Sequence, residues 1–194
     1  MIKGYIDYGA LEHKVLKKLK QLGITEKDYP LNPYELISHE GIILQEIDYE
    51  DINIRGMIVF GSNVTGISIN QNRTSKSKNY IAMHELSHYW YHPHHTDFVC
   101  IDDYINHNND KEWQANNAAS LALMPTKIFS KLFCECGGDL SCLSDYFNVS
   151  ISAVKYRKEK MQIISKNINY NGYNIDFKRF TEITYQERLL YGTK

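Results

Sequence analysis

The five residues His84-Glu85-Leu86-Ser87-His88 constrain this chain more than any other stretch. They lie in a run, Ser77 to Tyr91, whose apolar spacing predicts an amphipathic helix. Histidines at i and i+4 stand one above the other on one helical face, about 6 Å apart. Both imidazoles can then reach a single zinc ion at roughly 2.0–2.1 Å. Glu85 is turned about 100° around the helix, where it can contact a water on the metal without displacing a histidine. A surface helix with two solvated histidines fits the same five residues, so the flanking sequence has to decide. A catalytic zinc needs a third protein ligand and a position left for water.

Two residues compete to be that ligand. His94 follows His84 by ten positions, the spacing of H-E-x-x-H-x-x-G-x-x-H. That pattern needs a glycine where this chain has Tyr91, because the backbone must leave the helix with φ > 0. Pro93 ends the helix but does not replace the glycine. The favoured candidate is Glu112, in Lys111-Glu112-Trp113-Gln114-Ala115-Asn116. Asp110 is a good helix start, and Ala115, Ala118, Ala119 and Ala122 give a small-residue surface suited to close helix packing. Asn116, one turn after Glu112, is placed to accept a hydrogen bond from the far ring nitrogen of a zinc-bound histidine. A solvated glutamate at a helix N-terminus is the plain alternative for Glu112 taken alone.

Three blocks now stand in order: His84-Glu85-Leu86-Ser87-His88, Glu112-Trp113-Gln114-Ala115-Asn116 and Leu121-Ala122-Leu123-Met124-Pro125. Together they resemble the ImmA/IrrE family of bacterial and phage metallopeptidases, which show H-E-L-x-H, then E-x-x-A-N, then a run ending L-M-P. The similarity extends less sharply over about residues 1–164. The resemblance implies a zincin-like domain with zinc on His84, His88 and Glu112, and Glu85 as general base. It also implies a narrow substrate range, often a helix-turn-helix repressor encoded nearby.

The rest of the chain reads as α+β. Leu11, Val15, Leu19 and Leu22 predict a helix over 8–22, stopped by Gly23. Asn32, Pro33 and Glu35 open a short helix that Gly41 ends. Strands are expected at 42–46, 55–60 and 66–70, the last two joined as a hairpin by Gly61-Ser62-Asn63. The expected fold is therefore a small antiparallel-type sheet followed by the H-E-x-x-H helix. The strand at 66–70 is nominated as the exposed edge that would hold an extended peptide. Expected domains are a zincin-like unit over 1–135 and, over 136–194, a helical extension and tail packed on the core.

Helices are expected at 126–134, 140–147 and 151–164. The last two, joined at Asn148-Val149-Ser150, resemble a helix-turn-helix whose second member carries Lys155, Arg157, Lys158 and Lys160 outward. DNA reading by that helix is weighed against structural or partner docking, and docking is favoured because the formal charge of −1 lacks a basic balance. The tail from 165 is polar, with Phe177, Phe180, Ile183 and Leu189–Leu190 as anchors.

With 194 residues and 43 % hydrophobic content, the chain can bury a real core. No apolar run approaches the roughly 18 residues that span a bilayer, and the first residues lack the apolar core of a signal peptide, so a cytoplasmic location is expected. Cys100, Cys134, Cys136 and Cys142 are accordingly expected to be reduced thiols. The reaction expected is zinc-assisted peptide hydrolysis with Glu85 moving the proton, and Tyr89, Tyr91, Tyr104 and His107 are the open choices for stabilising the oxyanion. The alternative is a regulatory binding module, on DNA or a protein partner, built on a peptidase-like fold.

Overall fold

Asp7 accepts hydrogen bonds from the amides of Gly9 (2.9 Å) and Ala10 (3.4 Å) and so opens the first helix, α1 (Tyr8–Gln21). The computed structural model describes residues 7–92, 98–101 and 110–165, with isolated positions at 179, 182, 183 and 186. Leu11, Val15 and Leu19 form the buried stripe of α1, and Gly23, at φ +76°, turns the chain away. Asn32 caps α2 (Pro33–His39) by accepting from the Tyr34 amide at 3.1 Å, while its own amide donates to Glu35 Oε1 at 2.8 Å.

Four strands follow: β1 (Ile43–Ile47), β2 (Ile54–Phe60), β3 (Thr65–Asn70) and β4 (Phe98–Ile101). The hairpin between β2 and β3 closes through the Gly61 amide, which donates to the Val64 carbonyl at 2.9 Å. Across it Ile58 faces Ile67, both buried. The sheet order is β1-β3-β2-β4. Two features depart from expectation. The sheet is mixed, because β1 joins β3 in parallel while the other pairs are antiparallel. And β3 is not the exposed edge: β1 covers one side of it and β2 the other, which leaves β4 at the edge beyond β2. The strand β4 was not anticipated, being a run of only four residues.

The H-E-x-x-H helix is α3 (Ser75–Tyr91), capped by Thr74, whose hydroxyl accepts from the Ser77 amide at 3.3 Å. It is not amphipathic as expected. Every residue from Tyr80 to His88 is buried, since β2 and β3, α2 and the helix α4 (Asp110–Leu123) all pack on it. Helix α4 meets α3 and α1 through a surface of small side chains in which Ala115, Ala118, Ala119 and Ala122 are buried. Tyr80 and Tyr29 donate their hydroxyls to the Asn116 and Ala122 carbonyls, both at 2.9 Å, fastening α4 at two levels.

The chain divides into two compact units, 1–123 and 124–194. The second holds α5 (Thr126–Glu135), α6 (Leu140–Phe147) and α7 (Ile151–Ser165). Phe129 stacks on Phe133 and Phe147 at 6.2 and 6.0 Å. A three-residue turn with Asn148 at φ +51° joins α6 to α7, and Ser144 Oγ donates to the Val149 carbonyl across it at 2.6 Å, giving the helix-turn-helix-like part.

Arg157 is not part of a basic exterior. It is fully buried, with Nε donating to the Met124 carbonyl at 2.8 Å and a terminal nitrogen to Thr126 Oγ1 at 2.6 Å. Lys158 lies over the Phe133 ring and Lys160 over Tyr156, at 5.6 and 4.9 Å. The expectation of reduced thiols fails for two cysteines. A turn through Gly137 and Gly138 brings the start of α6 back beside the end of α5, and Cys136 is disulfide-bonded to Cys142; Cys134 is a buried thiol outside that bond. Among the described residues no helix is long and apolar enough to cross a membrane.

Candidate metal centre

Burial on all sides gives His84 and His88 a fixed setting, and helical spacing turns both Nε2 atoms to one point, 3.1 Å apart. Glu112 comes to the same point from the first turn of α4. Its Oε2 lies 3.2 Å from His84 Nε2 and its Oε1 3.2 Å from His88 Nε2. The three ligand atoms lie within 4.8 Å of one another. Two imidazole nitrogens and one carboxylate oxygen are a donor set that suits zinc, and the arrangement unites the residues that the motif and the downstream helix nominated.

The charges are set for metal uptake. Burial pushes the His88 imidazole down to about 4, against the opposing pull of Glu112, so the ring is neutral near pH 7. Burial acts to raise Glu112, but its bonds to His84 and His88 outweigh this and hold the carboxyl far below the usual range. A neutral imidazole and an ionised carboxylate are the forms that bind a metal.

Glu85 is the anomaly that marks the site. Its side chain is 0 % exposed, and among the described residues neither carboxylate oxygen has a hydrogen-bond partner. Such a group is costly unless something else is meant to meet it. Burial pushes its pKa up to about 8; His84 and Arg55 oppose the rise and Glu112 adds to it. The carboxylate fits beneath the sheet because β2 carries a glycine there: a β-carbon at Gly56 would lie 3.2 Å from Glu85 Oε1. Gly56 was missed from sequence, although a lone glycine inside a strand often marks a close approach.

The Asn116 backbone carbonyl receives the Tyr80 hydroxyl, and at His88 the far ring nitrogen, Nδ1, faces His92 Nδ1 at 2.9 Å. Of the oxyanion candidates, Tyr91 has a buried hydroxyl without a hydrogen-bond partner among the described residues, while the Tyr89 ring stacks on Phe60 at 6.4 Å. His94, Tyr104 and His107 lie outside the described residues, as does most of the tail.

This site and the helices that carry it lie in a region that matches a peptidase M78 family model, the IrrE N-terminal-like domain, over residues 37–159, and the chain belongs to that family. Comparison with the curated proteins returns no match. Among solved structures, a Mycobacterium tuberculosis transcriptional regulator is similar in fold, with a TM-score of 0.53 over 80 % of this chain and 14 % identity. The match takes in 47 % of that chain, so this protein spans about half the length of the relative.

Proposed function

We propose that the protein is a zinc-dependent endopeptidase that cleaves a specific regulatory protein in the cytoplasm, a helix-turn-helix repressor being the substrate class that the family resemblance favours. The observation that carries the reading is the buried, unpartnered carboxylate of Glu85 beside the three converging ligand atoms of His84, His88 and Glu112. Zinc held by those three would polarise a peptide carbonyl and lower the pKa of a water molecule. Among the described residues at the site, Glu85 is a base whose carboxylate has no hydrogen-bond partner. Its role is to take the proton of the attacking water and deliver it to the leaving amine nitrogen. Strand β4 lies at the sheet edge and packs beside α3, so an extended substrate segment can add to it by β-augmentation.

The test is incubation of zinc-loaded protein with candidate repressors, followed by mass analysis of the products. Cleavage at one position, abolished by a chelator and by Glu85→Gln, supports the reading. Repressor binding with no cleavage, unaffected by Glu85→Gln, would replace it with a regulatory binding module.

A further inference from the structure

We infer that Cys136 and Cys142 form a reversible thiol–disulfide site at which Cys142 exchanges with small thiols of the glutathione class. The bond joins the residue that ends α5 to the third residue of α6, six positions on. Cys142 is exposed and Cys136 half-buried, so a small thiol in solution can reach the bond. Cys134 does not compete: it is buried and lies about 200° around the helix from Cys136.

The turn between the two helices is built without the sulfurs. Gly137 and Gly138 take φ of +62° and +88°, which glycine adopts without steric cost. The Cys136 amide donates to the Leu132 carbonyl at 2.8 Å, Gly138 to Phe133 at 2.9 Å and Asp139 to Cys136 at 3.2 Å. Asp139 caps α6 by accepting from the Ser141 amide at 2.8 Å, and Phe129 of α5 stacks on Phe147 of α6. These contacts hold the two Cα atoms 6.2 Å apart, within the range that a disulfide spans. A loop this short also removes little chain entropy from the unfolded state. The bond can therefore open with the fold in place, and the turn keeps the thiols in reach for it to close again.

The two sulfurs have different parts. Cys142 lies in the first turn of α6, where unpaired amides and the helix dipole favour a negative sulfur. The Asp139 carboxylate opposes this but is drawn onto the Ser141 amide. In the reducing direction a thiolate RS⁻ attacks the exposed Cys142 Sγ, the S–S bond breaks, and Cys136 leaves as a thiolate that takes a proton. A second RS⁻ attacks the R sulfur of the mixed disulfide and releases RSSR and the Cys142 thiolate, so two thiols supply the two electrons. In the oxidising direction the Cys142 thiolate attacks RSSR and expels RS⁻; Cys136 then displaces the second RS⁻. The closed form ties α6, the first helix of the helix-turn-helix-like part, to the end of α5.

The test holds the full chain in buffers spanning about a 100-fold range of reduced to oxidised glutathione, then maps alkylated cysteines by mass. The Cys136–Cys142 pair should pass from mainly disulfide to mainly dithiol while Cys134 stays a thiol, and the reduced protein should keep its circular dichroism. A bond that survives the most reducing buffer, a pair that stays reduced in the most oxidising one, or a fold lost on reduction would each overturn the inference. With oxidised glutathione, Cys136→Ser should collect an adduct on Cys142 at least about tenfold faster than Cys142→Ser collects one on Cys136. Equal rates would overturn the role given to Cys142. Should either serine variant not fold, the wild-type titration still decides whether the bond is reversible. None of these readouts involves the metal centre, so their failure would leave the peptidase reading untouched.

Discussion

Gly56 and Glu85 meet where β2 crosses α3, and the absent side chain of one makes room for the carboxylate of the other. A β-carbon at 56 would lie 2.6 Å from Ile81 Cγ2, 3.1 Å from the Ser68 carbonyl and 3.2 Å from Glu85 Oε1. The Ser68 carbonyl belongs to the β3 ladder and has little freedom to yield. Gly56→Ala should therefore push α3 off the sheet, at a cost of about 1–3 kcal/mol, and displace Glu85 from the site. Chemical denaturation and peptidase rate should both fall. Unchanged stability would show that the contact relaxes at no cost.

Glu85→Gln keeps the shape and removes the base. Zinc content should stay at the wild-type level while turnover drops about 10²–10⁴-fold. Cleavage rates near wild type would remove Glu85 from its assigned role.

The metal-free protein should show a pH signature of the same residue. Burial holds the Glu85 carboxyl at about 8 in the folded state, above its ordinary value of 4.5. A raised carboxyl pKa means that the folded state holds the proton more tightly, so this contribution is full at low pH and is lost as pH rises towards 8. Glu85→Gln cannot ionise. Its melting temperature relative to wild type should therefore climb between about pH 5 and pH 8 in the presence of a chelator. His88, depressed in the folded state, gives the opposite slope in both proteins and largely cancels in the difference. A pH-independent difference would show that Glu85 is not strained by burial.

Arg157 should matter to stability and not to a basic surface. Arg157→Met strands the Met124 carbonyl and the Thr126 hydroxyl that the guanidinium now serves, and should cost about 1–3 kcal/mol. The expected readout is a lower denaturation midpoint in the second unit. No change in stability would mean that other groups take up those bonds.

Much of this fold was legible because its signals are local. Asp110 at the start of α4, Asn32-Pro33 at α2, Gly23 after α1 and the hairpin at Gly61 each declare themselves within a few residues. The H-E-x-x-H spacing was legible for the same reason. What escaped depends on partners distant in the chain. The parallel pairing of β1 with β3 and the short strand β4 are set by how the sheet assembles, not by alternation within a strand. Burial of α3 on every side was hidden by the polar residues, His84, Glu85, Ser87 and His88, that line its middle. Arg157 looked like an exposed cation because its acceptors, Met124 and Thr126, lie some thirty residues earlier. The same bonds give the Met-Pro block a structural role: the Met124 carbonyl just before Pro125 is an Arg157 acceptor. His92 stands in i+4 register with His88, but its contact with Gln114 depends on how α4 packs and leaves no local mark in the sequence.

Zinc content of the purified protein, measured beside Glu112→Ala and Glu85→Gln after a mild chelator wash, tests the central claim most directly. The account predicts about one zinc per wild-type chain, loss in Glu112→Ala and retention in Glu85→Gln. Equal zinc in wild type and Glu112→Ala would contradict it and move the third ligand elsewhere; no zinc in wild type after reconstitution would remove the metal centre altogether.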